Sequence, residues 1–337
     1  MKRRALWLLA LLAIGAGLFV PILLGGHAAL ASAEAIPIGG MLGLLALALA
    51  SATARAIKIR ILALRLGHRV GFVRALIAAF ASDAAFQATP AGAGGYPATV
   101  LLLRRGGLPV SAGLALSAAD QALDTLFFAA ALPLACAFDL GDTVPAAWHA
   151  LAFVPTAALL LISAGLLAAW RMRRRWWPVL RSVLLRLRWL RQRRERLRGF
   201  FATFAADLAR LRRGSPMLTA ALVLVVGAQW IARYGALWFA LVVLGHALPF
   251  GLVFVAQSVA LHAAQWTGVP GGIGGGDVAL AAALSPWAPL AVLAPALLLW
   301  RLTTFHAVLL FGAIAFACDR RDMSAGSTEL VTQGSAG

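Results

Sequence analysis

Long apolar stretches separated by short polar ones organise this chain. Stretches of about 20 residues, the length that crosses a bilayer, run near Leu6 to Leu24, Ile36 to Ala54, Val110 to Ala137, Ala147 to Trp170, Met217 to Leu244 and Leu290 to Ala317. Two others, Phe72 to Leu103 and Leu252 to Leu284, are broken midway by a glycine-rich kink. We read these as hairpins that enter and leave on one face, because irregular backbone is tolerated at membrane depth only where it is buried in protein or lines a wet cavity. The pattern predicts an all-α integral membrane protein with about six full transmembrane helices and two re-entrant helical hairpins. A polytopic membrane domain spans residues 1–318, and the Ser- and Gly-rich tail, residues 319–337, is expected to be disordered.

The two breaks are copies of one phrase. Pro90-Ala-Gly-Ala-Gly-Gly95 and Pro270-Gly-Gly-Ile-Gly-Gly275 are offset by 180 residues, and the same offset places Phe86 on Trp266, Pro109 on Pro289 and Gln121 on Arg301. The repeated regions lie near residues 72–135 and 252–317. Arg104 and Arg105 pin the first hairpin to the cytoplasmic side, and three crossings before the second turn it outward. The expectation is an inverted-repeat, transporter-like bundle, in which broken helices form half-gates around a midplane site.

Composition agrees with a membrane solvent. Hydrophobic residues make up 62% of the chain and charged ones 12%, against about 25% charged in a soluble domain; mean hydropathy is +0.87. The formal net charge of +18 matters through its placement. With the N-terminus in the cytoplasm, 28 of the 30 Lys and Arg fall on that side, including six from Arg55 to Arg74. Arg233 and Arg301 fall inside spans, and the outer loops Gly25 to Ala35, Phe138 to Ala146 and Gly245 to Phe250 carry none. The positive-inside rule therefore predicts a bacterial-type inner membrane protein with both termini cytoplasmic. The first stretch also fits a signal peptide, with Lys2 to Arg4 before it and Ala29 to Ala31 after it, although its apolar run is long for one. Cys136 and Cys318 fall near opposite faces, which argues against a disulfide, and no spacing suggests a metal or a cofactor.

Between Arg171 and Arg213 lie fifteen arginines and no lysine. Leu197, Phe200, Phe201, Phe204, Leu208 and Leu211 recur there at helical steps, the pattern of an amphipathic helix on a surface. Anionic lipid headgroups are its expected partner; enforcing orientation alone is the competing reading. No nucleic-acid-binding motif accompanies the charge. A homo-oligomer is left open.

Asp83, Asp120, Asp124, Asp277, Arg233 and Arg301 fall within predicted membrane segments, where each charge costs about 2.5 to 3.5 kcal/mol near the centre. Asp120 and Asp124 share a helix face with Gln121 close by. A functional reading has Arg301 or Arg233 meeting an anionic headgroup while Asp120, Asp124 or Asp277 provides a proton or counter-ion switch; a structural ion-pair lattice is the alternative. Gln229, Gln257, His262 and His306 are read as interhelical hydrogen bonders, and Gln265 gains interest beside the second break. Pro90, Gly92, Gly94 and Gly95, with Pro270, Gly271, Gly272 and Gly274, fit hairpin tips whose free backbone N–H groups could hold a phosphate or carboxylate. Close helix packing would also explain the glycines.

These residues carry a resemblance. Thr89-Pro-Ala-Gly-Ala-Gly-Gly95, Leu102-Leu-Arg-Arg-Gly106, Asp120-Gln-Ala-Leu-Asp124, Val269-Pro-Gly-Gly-Ile-Gly-Gly-Gly-Asp277 and Arg301 together resemble the lysylphosphatidylglycerol synthase transmembrane, or flippase-like, family over most of residues 1–320. The second motif is the more specific, with Asp277 where the family usually has Glu. The first lacks the Glu near Gly95 and the Arg near Ala98 that members often carry. The resemblance implies a lipid translocase fold with two re-entrant hairpins that moves aminoacylated phospholipids or other amphipathic lipids between leaflets. Without the soluble aminoacyltransferase domain of its bifunctional relatives, the chain is not expected to be an enzyme. The substrate is expected to carry an anionic or polar headgroup. A nonenzymatic scaffold or regulator of lipid or envelope biosynthesis is the alternative. Gly274-Gly-Gly-Asp277 also fits an intramembrane aspartyl protease, but neither Tyr96 nor Tyr234 precedes the second Asp such an enzyme needs.

Overall fold

The computed structural model describes residues 17–26, 36–138, 194–265 and 267–319, with a few isolated positions besides. Its helices are α1 (Gly17–Gly26), α2 (Ile38–Arg65), α3 (Phe72–Ala88), α4 (Gly95–Arg105), α5 (Val110–Phe138), α6 (Arg194–Arg212), α7 (Pro216–Val243), α8 (Phe250–Gln265), α9 (Gly275–Leu284) and α10 (Leu290–Asp319). Among the described residues there are no strands, and α2, α7 and α10 are each long and apolar enough to cross a membrane. The start of the span expected from Leu6, the one from Ala147 to Trp170 and the tail from Arg320 lie outside the described residues.

Pro90–Gly92 and Pro270–Gly272 form short 3-10 turns that join α3 to α4 and α8 to α9. In each case the second helix folds back on the first. Elements of the two halves correspond in order. Helices α2 and α3 start 178 residues before α7 and α8, while the first tip, α4 and α5 start 180 before the second tip, α9 and α10. Even the helix ends match, since His68 N–H donates to Ala63 O and His246 N–H to Leu241 O, the same C-terminal closing bond.

The halves pack through corresponding parts. Helices α2 and α7 share the most extensive helix contact, and the two tips touch each other. A Cβ on Gly43 would lie 2.6 Å from Phe239, and one on Gly40 2.8 Å from Val243; only glycine allows this approach. At the other end, Arg65 donates to Leu211 O at 3.1 Å and to Thr219 Oγ1 at 2.5 Å. The start of α2 thus meets the end of α7 and the reverse, so the corresponding helices run antiparallel. The hairpin mouths follow suit. Arg74 of α3 reaches Leu102 O of α4 at 2.9 Å near the basic end of the molecule, whereas His246 and Trp287 O meet at 3.0 Å at the end of α7.

Three boundaries differ from those expected. Helix α2 runs past Ala54 to Arg65, so Arg55 and Lys58 are intrahelical rather than in a cytoplasmic loop; no helix breaker intervenes before Gly67, and buried acids neutralise both charges. Asp319, expected to open the tail, ends α10 with its side chain fully buried against Arg74 (2.5 Å) and Arg105. On α6, Leu211 is buried and Phe204 and Leu208 pack beside it onto the α2–α3–α4 core, while Phe201 is half exposed. That apolar face is shared with protein rather than left wholly to a surface.

Candidate functional site

The second tip is held by a clamp. Arg301 of α10, 2% exposed, donates through Nε to Asp277 Oδ1 at 2.6 Å, through Nη1 to Gly271 O at 3.1 Å and through Nη2 to Gly272 O at 3.4 Å. Asp277, fully buried at the start of α9, accepts from Gly274 N–H at 2.9 Å, which caps that helix and satisfies its dipole. Just after Arg301 the helix widens into a π turn, Leu302–His306, a local irregularity common at functional sites. Gln87 of α3 donates to Thr304 O there at 3.2 Å, tying the first hairpin to the same turn.

The first tip is held differently. Thr89 Oγ1 accepts from Gly94 N–H at 2.8 Å and donates to Ala85 O at 2.7 Å. Gln121, the repeat counterpart of Arg301, accepts from the Tyr96 hydroxyl. Corresponding positions thus steady corresponding tips by different chemistry.

Beside the tips runs a chain of buried charge. Asp83 pairs with Arg55 and, at 3.3 Å, with Arg233. Arg55 reaches Asp120 at 3.7 Å. Lys58, whose side chain is fully buried, sits 2.6 Å from Asp120 and 2.8 Å from Asp124, and Trp230 Nε1 donates to Asp124 Oδ1 at 2.9 Å. Charges this deep persist only when paired and hydrogen-bonded.

These groups surround one cavity of 560 Å³. Of the residues nominated by the sequence, Gly92, Gly95, Gly271, Gly272 and Gln265 line it from the tips, and Asp120, Gln121, Asp124, Arg233 and Arg301 from the surrounding helices. Pro90, Gly94, Pro270, Gly274 and Asp277 stand behind the wall and shape the tips. Arg301 and Asp124 belong to separate ion pairs. Both guanidinium groups considered for a headgroup, Arg233 and Arg301, already face carboxylates.

A match to known families over residues 7–312 is to the lysylphosphatidylglycerol synthase TM region. The chain belongs to this family. A UPF0104 membrane protein of Archaeoglobus fulgidus is 28% identical over 267 residues, which is 77% of this chain and 80% of that protein. The family match takes in both tips, the charge chain and the Asp277–Arg301 clamp, and stops short of Asp319. With α2, α7 and α10 it makes this a multi-pass membrane protein. Sequence reasoning missed Arg55, Lys58, Gln87 and Trp230 as parts of the site. A signal for the cations was present: Asp83, Asp120 and Asp124 needed buried partners, and Arg55 and Lys58 continue one face of α2 at a helical step of three.

Proposed function

We propose that the protein is a lipid translocase, not an enzyme, and that it moves an amphipathic lipid with a polar headgroup between the leaflets of a bacterial-type inner membrane. The observation that carries this reading is the cavity, lined jointly by two hairpin tips and by buried charges. A lipid headgroup crossing a bilayer needs a polar path that lipid tails do not offer, and broken helices meeting at mid-depth are how transporter folds build one. The antiparallel pairing of α2 with α7, and hairpin mouths at opposite ends, support an inverted repeat with re-entrant hairpins once α2 crosses the membrane. The arginine-rich segment would then face anionic headgroups on the cytoplasmic side. An aspartyl protease fits poorly, because Asp277 is fully buried and bound by Arg301 and Gly274.

The test is reconstitution into phosphatidylcholine vesicles carrying lipids with a fluorescent acyl chain and either a glucosyl or a phosphoglycerol headgroup, followed by dithionite bleaching from outside. Movement of at least one lipid appears as bleaching of label that protein-free vesicles protect. Bleaching identical to protein-free vesicles for both lipids would remove the translocase reading and favour a scaffold.

A further inference from the structure

The fixed charges around the cavity cancel. Arg55, Lys58, Arg233 and Arg301 each pair with a carboxylate, and the carboxylates concerned are four: Asp83, Asp120, Asp124 and Asp277. An anionic headgroup would have to draw a cation away from its acid, and a cationic one an acid away from its cation. Either exchange leaves a buried charge without a partner, which is the costly outcome for a desolvated ion pair.

Around the cavity, Arg55 keeps one unpartnered N–H, its Nε, and two neutral side chains are left with unpartnered acceptors. Gln229 of α7 and Gln257 of α8 line the cavity, are 3% and 1% exposed, and each carries a side-chain oxygen with no hydrogen-bond partner. Buried acceptors are nearly always satisfied in folded proteins, and these two, closed off as the side chains stand, belong to residues that line one cavity, so a donor entering it is the partner they lack. An amide offers an acceptor and a donor side by side, and a hydroxyl serves both. Gln121, Gln265 and Thr125 add further groups of this kind, and Phe86, Phe128 and Leu261 add apolar side chains to the same wall. Apolar walls with a few convergent neutral hydrogen bonders suit a polyhydroxyl ring better than an ion.

We infer that the headgroup taken into this cavity is uncharged and rich in hydroxyls, a sugar or polyol on a lipid anchor, and that Gln229 and Gln257 accept hydrogen bonds from it. This rests on the translocase reading and names its substrate class.

The experiment compares glucosyldiacylglycerol with phosphatidylglycerol, using the intact protein in phosphatidylcholine vesicles. Transfer is followed by bleaching and binding by the fluorescence of the cavity tryptophans. The glycolipid should cross and bind about tenfold better, in keeping with sites built around substrate hydroxyls. Gln229→Met and Gln257→Met, which keep side-chain length, should each erase that preference and leave Tm equal or raised, since an unsatisfied buried amide is removed. Transfer of both lipids at equal rates, or a preference that survives both substitutions, overturns the inference while translocation stands. A clear drop in Tm in both variants also overturns it, because the amides would then be satisfied parts of the packing. Selective, glutamine-dependent binding without transfer of either lipid supports the headgroup assignment and sinks translocation instead.

Discussion

Ala91 occupies the left-handed backbone region, at φ 51° and ψ 22°, where the matching residue of the second tip is Gly271 at φ 64° and ψ 6°. A Cβ there costs roughly 1 to 2 kcal/mol, and the tip keeps the shape because Thr89 binds across it. Ala91→Gly should therefore raise stability by about 1 kcal/mol, read as the midpoint of denaturant unfolding in micelles; an unchanged or lower midpoint would mean the strain is absent. Lys58 presents the opposite case. It holds Asp120 and Asp124 together with no exposure of its own, so Lys58→Met should cost about 3 to 5 kcal/mol, the usual result of stranding a buried charge. Adding Asp124→Asn should recover part of the loss, and a double variant no more stable than Lys58→Met alone would show that Asp120, not the pair, is the dependent partner. The residue types at both positions were plain in the sequence. That Ala91 is left-handed and Lys58 buried was not, because the first follows from how Thr89 closes the tip and the second from contacts with a distant segment.

Helices act in this molecule as bearers of long-range ties. Asp319, the last residue of α10, binds Arg74 at the foot of α3 and Arg105 at the end of α4, which closes the mouth of the first hairpin. Removing the carboxylate charge by Asp319→Asn should free those ends. Amide exchange at Leu103 to Leu108 and in the last turn of α10 should quicken about tenfold, the equivalent of about 1.4 kcal/mol from a charge-assisted bond, while the middle of α7 stays unchanged. Uniform acceleration across α7 as well would indicate loss of the fold rather than opening of one mouth. Apolar length announced α2, α7 and α10 from the sequence. Their ends were misjudged by up to eleven residues at α2 (from Ala54 to Arg65), since charged residues read as loop when their buried partners are unseen.

At the scale of the whole molecule, polarity is divided between the ends. Arg65, Arg74 and Arg105 gather where α7 begins, and the other end, with Gly40, Val243, Leu248 and Trp287 in contact, presents no Lys or Arg in those contacts. Under an inverted repeat, the hairpin mouths are expected on opposite sides of the membrane. Single cysteines at the exposed positions Arg104 and Ser285, in a background of Cys136→Ala and Cys318→Ala, should react with an impermeant maleimide from opposite faces of the bilayer. Reaction of both from one face would remove the inverted-repeat reading. The native thiols are free, Cys136 buried and Cys318 exposed, which is why the exposed one must go first.

The sequence by itself determined the solvent, the duplication and the family, because these rest on local composition and on phrases such as Pro270 to Gly275 that repeat without reference to anything distant. It also marked part of the cavity wall, since an Asp or Arg in an apolar stretch is conspicuous wherever it lies. Only the tertiary structure decided who pairs with whom. For Arg301 the sequence leaves open an anion receptor or a structural ion pair, and the fold supplies the partners, Asp277 and two carbonyls of the second tip. Lys58 reads as a loop cation in the sequence, and it is the most deeply buried charge in the molecule's charge chain, because α2 packs against α5 and its ammonium reaches both Asp120 and Asp124. Coulomb attraction at about 3 Å decides such matters, and separations of that kind exist only after chains 66 residues apart, as Lys58 and Asp124 are, have been brought side by side.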